Sequence, residues 1–245
     1  MSSVIVTGAA KGIGAGIVEA FASAGWSVVA VDRDRPPLDA LASRVGSSVV
    51  TLAGDVADRA TNDAAVQLAV ERFGGLDAAV GNAGVNLPKL VDQTTPDEFD
   101  RLFAINVKAL MYLAQAAHAA LAKSKGSLTV IASKTGLVGQ RNSPIYVASK
   151  GAAVQLARAL ALDWAPEGIR VNAVCPGIVD TPMLQQFIDA MPDPAASRRE
   201  HEQAQPLGRL ATAAEVASAV LFLSTPAAAF ITGVALPVDG GFTAE

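Results

Sequence analysis

Hydrophobic positions follow two alternating periods along this chain. Short runs dominated by Val, Ile, Leu and Ala occupy 3–7, 27–31, 48–52, 76–80, 127–132 and 169–175. They are too short for helices and too uniformly apolar for strands wetted on one face, so they predict six strands buried on both sides. Between them lie alanine-rich segments of about 12–25 residues whose apolar positions return with the helical period. Strand, helix and strand repeated in this way predict an α/β chain: a doubly wound parallel sheet with helices on both faces.

Several boundaries carry their own chemistry. Pro36-Pro37 opens a helix, Thr95-Pro96 with Glu98 forms a capped start, and Ser143-Pro144 puts proline at a first helical position. No repeat or linker divides the chain, so residues 1–245 are expected to form a single domain. Segment 180–206, rich in proline, glutamine and charge, interrupts the regular pattern before a late helix at 213–224. A mobile lid over a substrate is the expectation there.

The chain has 245 residues, 51% hydrophobic and 17% charged, enough apolar material for one sheet buried by its helices. A formal charge of −4 supplies no basic field for nucleic acid or anionic lipid, so neither is an expected partner. The single cysteine, Cys175, has no partner for an internal disulfide, and its place between Val174 and Pro176 marks it as packing. The strand starting near Val4 leaves no room for a secretory leader, and no apolar run approaches the roughly 18 residues that span a bilayer. A soluble cytoplasmic protein is expected. His118 and His201 lack metal-ligand spacing, and no metal is expected.

Chemistry enters at the first strand-to-helix turn, Thr7-Gly8-Ala-Ala-Lys11-Gly12-Ile13-Gly14. Glycines there let the backbone turn sharply and approach a pyrophosphate, whose charge meets free amides at the helix N-terminus. The spacing departs from Gly-x-Gly-x-x-Gly, and an ordinary glycine-rich turn would account for the glycines equally well. Asp32 tips the balance toward a Rossmann-type dinucleotide site. It ends the second strand 18 residues beyond Gly14, near the roughly 20-residue offset of a ribose-binding carboxylate. Such a carboxylate accepts both adenosine-ribose hydroxyls and repels a 2′-phosphate by about 1–4 kcal/mol at contact, so NAD is expected over NADP. Lys11, Arg33 and Arg35 pull the other way, since any of them could neutralise a 2′-phosphate, although a solvated surface role suits each. Asp55, just before Val56 at the end of the third strand, could meet the adenine amine or cap the turn that follows.

Tyr146 and Lys150 lie four residues apart on an expected helix and so share a face. A phenol has an ordinary pKa of about 10, so one that acts as a base near neutral pH needs a nearby positive charge. The Lys150 ammonium is expected to supply it and to favour the phenolate. Ser133 ends an apolar strand, where open α/β sheets place ligands, and its hydroxyl could bond a substrate oxygen as charge develops. Singly, these would be a half-buried aromatic, a surface lysine and a strand-end cap; jointly, behind a nucleotide-binding turn, they point to catalysis.

In order and spacing these pieces resemble the short-chain dehydrogenase/reductase family over essentially the whole chain. The matching residues are Thr7, Gly8, Gly12, Ile13, Gly14, Gly81-Asn82-Ala83-Gly84, Asn106, Ser133, Tyr146, Lys150, Pro176-Gly177, Val179, Thr181, Thr232-Gly233 and Asp239-Gly240-Gly241. The resemblance implies an NAD(P)-dependent alcohol dehydrogenase or carbonyl reductase, with Tyr146 as general acid and base. It implies that Lys150 also holds the nicotinamide ribose, that Ser133 orients the substrate oxygen, and that Asn106 holds a water linking Lys150 to solvent. From the sequence alone, Asn106 bonding within its own helix is the simpler reading. Cofactor contacts are expected from Gly8, Lys11, Gly12, Ile13, Gly14, Asp32, Arg33, Asp55, Val56, Asn82, Ala83, Gly84, Tyr146 and Lys150, with Val179 and Thr181 meeting the carboxamide. The implied role of Asn82 is to tie neighbouring strands together. Gly81 stands where the family's usual motif has a second asparagine, a departure expected to loosen the turn. The resemblance also implies a homotetramer, with the apolar helices around 110–121 and 154–162 serving interfaces as well as core.

Segments 135–143 and 180–206 flank the reactive centre and are expected to set specificity for a small alcohol or ketone. Arg141, Arg198 and Arg199 could clamp an anionic substituent or remain solvated. The expected activity is hydride transfer between NAD and a secondary alcohol or ketone. An NADPH-dependent 3-oxoacyl-carrier-protein-type reductase is the enzymatic alternative, and a non-catalytic nucleotide-binding sensor or scaffold the alternative of another class.

Overall fold

A computed structural model describes residues 2–244. Seven strands, β1 (Ser3–Thr7), β2 (Ser27–Asp32), β3 (Val49–Ala53), β4 (Ala78–Gly81), β5 (Ser127–Ile131), β6 (Arg170–Pro176) and β7 (Ala235–Val238), form one sheet in the order β3-β2-β1-β4-β5-β6-β7. Every pairing is parallel. The six expected strands are all present, shifted by one or two residues at their ends. The seventh was not foreseen, because Pro237 interrupts its short apolar run; an edge position tolerates the missing donor.

The strands are buried on both sides because their alternate residues feed two apolar layers. Ile5, Val29 and Val31 point into one, with α3 (Arg59–Phe73), α5 (Ala109–Ser124) and α6 (Pro144–Trp164). Val4, Val6, Val28 and Ala30 point into the other, with α1 (Gly12–Ser23), α2 (Arg35–Val45) and α9 (Ala213–Ser224). Cys175 is fully buried in the first layer. Among the described residues, no helix is long and apolar enough to cross a membrane.

Local signals set several helix starts. Thr95 and Glu98 form a reciprocal capping box on α4 (Pro96–Phe103), and Thr212 and Glu215 form another on α9. Within 180–206 the chain folds into α7 (Pro182–Asp189) and α8 (Pro194–Gln203), each opened by proline and capped by the side chain of Thr181 or Asp193. After β1 the chain winds outward to β3 and then returns to β4 on the other side of β1. That reversal leaves a crevice beyond the carboxyl ends of β1 and β4.

Candidate active site

A crevice of about 450 Å3 opens at this switch point. Its walls include Gly8, Lys11, Gly12, Ile13, Gly14, Asp32, Arg33, Asp55, Val56, Asn82, Ala83, Gly84, Ser133, Tyr146, Lys150 and Thr181. Strand ends supply one side of it, and the start of α1 and α7 supply the other.

The nucleotide end is built by close backbone approach. A Cβ on Gly14 would lie 2.0 Å from the Gly8 carbonyl oxygen, so only glycine lets α1 begin this near β1. Lys11 at the N-cap gives α1 no side-chain cap, and the first turn holds no acidic residue, which leaves its amide donors for an anion. Asn82 Nδ2 donates to the carbonyls of Thr7 and Gly8 at 2.8 and 3.0 Å, while Thr7 Oγ1 accepts from the Asn82 and Ala83 amides. Asn82 thus ties the end of β4 to the glycine turn. At Gly81 a Cβ would lie 2.4 Å from Leu110 Cδ2, so the Leu110 side chain occupies the space beside the glycine that an asparagine would need.

Asp32 is held in place by accepting hydrogen bonds from the amides of Ala10 (2.9 Å) and Asp34 (3.0 Å). Lys11 pairs with Asp34 at 3.0 Å, and this contact holds the Asp34 carboxyl below its ordinary pKa. Asp34, which also lines the crevice, therefore engages the lysine that could otherwise have met a 2′-phosphate. Arg33 is exposed on the crevice rim. Asp55 lines the crevice and accepts from the Ala57 amide, the turn-capping role that was one of its two expected readings. An uncapped helix start and a positioned carboxylate at this distance along the crevice fit the pyrophosphate and ribose of a dinucleotide.

At the other end, α6 presents Tyr146 and Lys150 from consecutive turns, with Lys150 Nζ 5.9 Å from the centroid of the Tyr146 ring. Lys150 Nζ donates to the Ile131 carbonyl at 3.0 Å, which fixes the side chain against β5. The expected lowering of the phenol is not found in the protein alone. Burial raises the pKa of Tyr146, with the Ser133 hydroxyl beside it pulling the other way. Burial also lowers Lys150 to about 8. Both groups sit where desolvation disfavours the charged form, and helix spacing carries no information about that.

Ser133, 8% exposed, opens the tight turn 134–136. Its Oγ accepts from Thr135 twice, from the amide at 3.2 Å and from Oγ1 at 3.0 Å. Lys134, next in sequence, turns away from the crevice and lies over the Phe242 ring at 3.2 Å from its centroid.

Two expected site residues lie outside the crevice wall. Asn106 is buried behind it, in a π-helical turn (Ala104–Lys108) between α4 and α5. Its side chain accepts from the Val85 amide (2.9 Å) and donates to the Val85 carbonyl (3.0 Å) and to Ser149 Oγ (3.1 Å). It braces the loop after β4 against α6 rather than bonding within its own helix. The Val179 side chain is buried in the core, and its bridge to Ala211 uses the amide of Asp180 and the carbonyl of Ile178. That pattern turns the backbone groups of Val179 itself the opposite way. Thr181 lines the crevice while capping α7.

None of the three candidate arginines lines the crevice. Arg198 is held by Asp180 at 2.8 Å and Glu202 at 3.1 Å, whereas Arg141 and Arg199 are exposed and without an ion pair among the described residues. His118 pairs with Glu167, and His201 bonds the Ser197 carbonyl. Crevice residues that sequence reasoning passed over include Asp34, Val85 and Ile105, whereas Met183 and Gln186 fall within the segment 180–206 expected to flank the reactive centre. Of the first three, only Asp34 carried a signal, as a second carboxylate two residues after the ribose-binding candidate.

Comparison with known proteins converges on the same chemistry. The family profile described as enoyl-(acyl carrier protein) reductase matches residues 8–243. L-fucose dehydrogenase of Mus musculus is 40% identical over 239 residues, which is 97% of this chain and 87% of that protein. The 2-(R)-hydroxypropyl-CoM dehydrogenase of Xanthobacter autotrophicus is 37% identical, covering 98% of both chains. The crystal structure of a 3-ketoacyl-(acyl-carrier-protein) reductase from Brucella melitensis complexed with NADH superposes with a TM-score of 0.92 at 33% identity, covering 99% of this chain and 98% of that one. With Ser133, Tyr146 and Lys150 gathered at one end of a nucleotide crevice and relatives matching nearly end to end, the chain belongs to the short-chain dehydrogenase/reductase family and is a nicotinamide-dependent alcohol/ketone oxidoreductase.

Proposed function

We propose an NAD-preferring dehydrogenase that acts on a small secondary alcohol, with Tyr146 as general acid and base. The observation that carries this reading is one crevice with Asp32 and the uncapped start of α1 at one end and Ser133, Tyr146 and Lys150 at the other. Asp32, the glycine turn and Lys150 would hold a nicotinamide dinucleotide, which would supply hydride transfer and, in its oxidised form, a positive charge that favours the phenolate. Tyr146 Oη takes the alcohol proton during oxidation and gives it back during reduction. The Ser133 hydroxyl donates to the reacting oxygen as negative charge builds there. Lys150, pinned to Ile131, offers an ammonium that partly offsets the burial cost of the phenolate and holds the nicotinamide ribose. Asn106, through Val85 and Ser149, keeps the β4 loop and α6 in register and carries the water-holding role implied by the family.

The preference for NAD rests on Asp32, whose orientation is set by two amides, and on Asp34, which engages Lys11. Arg33 is the residue that favours NADP. We further propose that 180–206 acts as a lid, that the protein is a cytoplasmic homotetramer, and that the exposed apolar residues Met111 and Leu162 on α5 and α6 serve its interfaces.

Nicotinamide absorbance with both cofactors, over L-fucose, 2-hydroxypropyl thioether sulfonates, other acidic and neutral secondary alcohols and 3-oxoacyl thioesters, tests this reading. Acidic substrates belong in the panel because Arg141 and Arg199 have no ion pair among the described residues. The likeness to a ketoacyl reductase favours one alternative, an NADPH-dependent 3-oxoacyl reductase, and preferential turnover of the thioesters with NADPH would establish it. A Tyr146→Phe protein that binds NADH but has lost turnover supports catalysis; one that retains its function would make the protein a nucleotide sensor or scaffold.

A further inference from the structure

We propose that Thr135 is a positioning residue that converts Ser133 into an obligate hydrogen-bond donor toward the reacting oxygens; this inference rests on the dehydrogenase reading. A hydroxyl has one proton to give and two lone pairs with which to accept. Ser133 Oγ accepts from the Thr135 amide at 3.2 Å and lies 3.0 Å from Thr135 Oγ1; because the Ser133 hydroxyl is the group that bonds the Tyr146 oxygen and favours its phenolate, its proton is directed there and the Thr135 hydroxyl is the donor of the second contact. The only hydrogen-bonding capacity left to Ser133 is its own proton, and its free direction is the crevice it lines beside Tyr146.

This polarity matters because a serine free to rotate can serve the reaction badly. A Ser133 that accepted from the neutral Tyr146 phenol would hold the proton on Tyr146, and one that presented lone pairs to the substrate would repel the charge growing on its oxygen. With Thr135 donating twice, Ser133 can only stabilise negative charge, on the phenolate before the reaction and on the substrate oxygen during it. Successive donation from Thr135 to Ser133 and onward also strengthens the last bond of the series.

The surroundings leave Thr135 no competing role. It is 3% exposed, its hydroxyl makes no other hydrogen bond among the described residues, and it lies in the one turn between the end of β5 and Gly136. The amide bond alone would fix Ser133 as the cap of that turn. The second bond adds nothing to the cap; its effect is to fill the remaining acceptor site.

The test compares Thr135→Val, close in shape but without the hydroxyl, and Thr135→Ser, which keeps it. Thr135→Ala carries the same expectation as valine if the valine disturbs packing. The chain has two tyrosines, Tyr112 and Tyr146, so near-ultraviolet tyrosinate titration with Tyr146→Phe as reference isolates the catalytic phenol. Thr135→Val should raise the Tyr146 pKa by about half to one unit, and Thr135→Ser should leave it in place. In turnover, Thr135→Val should lower kcat about tenfold with the KM for the dinucleotide unchanged, and Thr135→Ser should restore the rate to within about twofold. An unshifted titration in the valine and alanine proteins, or a serine variant as impaired as valine, overturns the proposal. The titration needs no turnover, so an intact protein without activity on any alcohol would fail the dehydrogenase reading while leaving this one to be judged by the phenol.

Discussion

A Cβ placed on Gly136 would lie 2.7 Å from the carbonyl oxygen of Lys150. The turn that carries Ser133 therefore rests directly on the backbone of the helix that carries Tyr146 and Lys150. The spacing between the serine and its two partners is set by backbone contact, without an intervening side chain.

Gly136→Ala should push these two elements apart. The expected result is a fall in kcat of at least about tenfold with NADH affinity retained, because the contact lies at the reactive end and misplacement by a fraction of an ångström weakens proton transfer steeply. Stability should drop by about 1–3 kcal/mol, as for other overpacked sites. Steady-state kinetics with fluorescence titration of NADH checks both ends, and unchanged kcat would show that the turn tolerates displacement.

Asp32→Ser removes the carboxylate while keeping an acceptor for a neighbouring amide. The ratio of kcat/KM with NADH to that with NADPH should fall by at least about tenfold, the effect of relieving one like-charge contact. A ratio that does not move would assign cofactor choice to Arg33 instead.

Lys150→Met should give an inactive but more stable protein at neutral pH. Lys150 has a folded pKa of about 8 against an ordinary 10.5, so the unfolded chain holds this proton more tightly. Its charge costs stability below about 8, and the cost disappears as pH rises toward 10.5. The methionine variant should therefore be more stable by about 1–3 kcal/mol at pH 7, less whatever the lost bond to Ile131 contributed, with the advantage shrinking in alkaline buffer. Thermal melts at several pH values report the trend; an advantage independent of pH would trace the effect to packing.

Gly81→Asn would restore the asparagine that the family's usual motif carries, yet it should destabilise this protein by about 1–3 kcal/mol because Leu110 occupies the space. Leu110→Ala should recover part of that loss in the double variant despite its own cavity cost. Denaturant unfolding of the four proteins in the cycle measures the coupling, and additive losses would mean that Leu110 and position 81 do not compete.

Much of this protein was legible along the chain. Two-sided strand burial follows from runs such as Ser27–Asp32, because a period of two carries alternate Val residues into opposite layers. Tyr146 and Lys150 share a face because helix pitch places residues four apart together. Asp32 meets the glycine turn because β1 and β2 are adjacent in both sequence and sheet. These are short-range regularities, and local backbone geometry is sufficient to produce them.

The rest depended on which distant segments pack together. Asn106 reaches Val85 and Ser149 only because the π-helical turn that carries it packs against both the β4 loop and α6. Leu110 rather than an asparagine fills the space at Gly81, and Pro237 is tolerated because its strand closes the edge of the sheet. The pKa of Tyr146 moved opposite to the expectation because burial outweighed the hydrogen bond from Ser133, and burial lowered Lys150 as well. Periodicity determines which face a side chain occupies, but the dielectric it experiences and the partner it meets come from elements tens of residues away, and these exist only once the sheet and helices have closed around it.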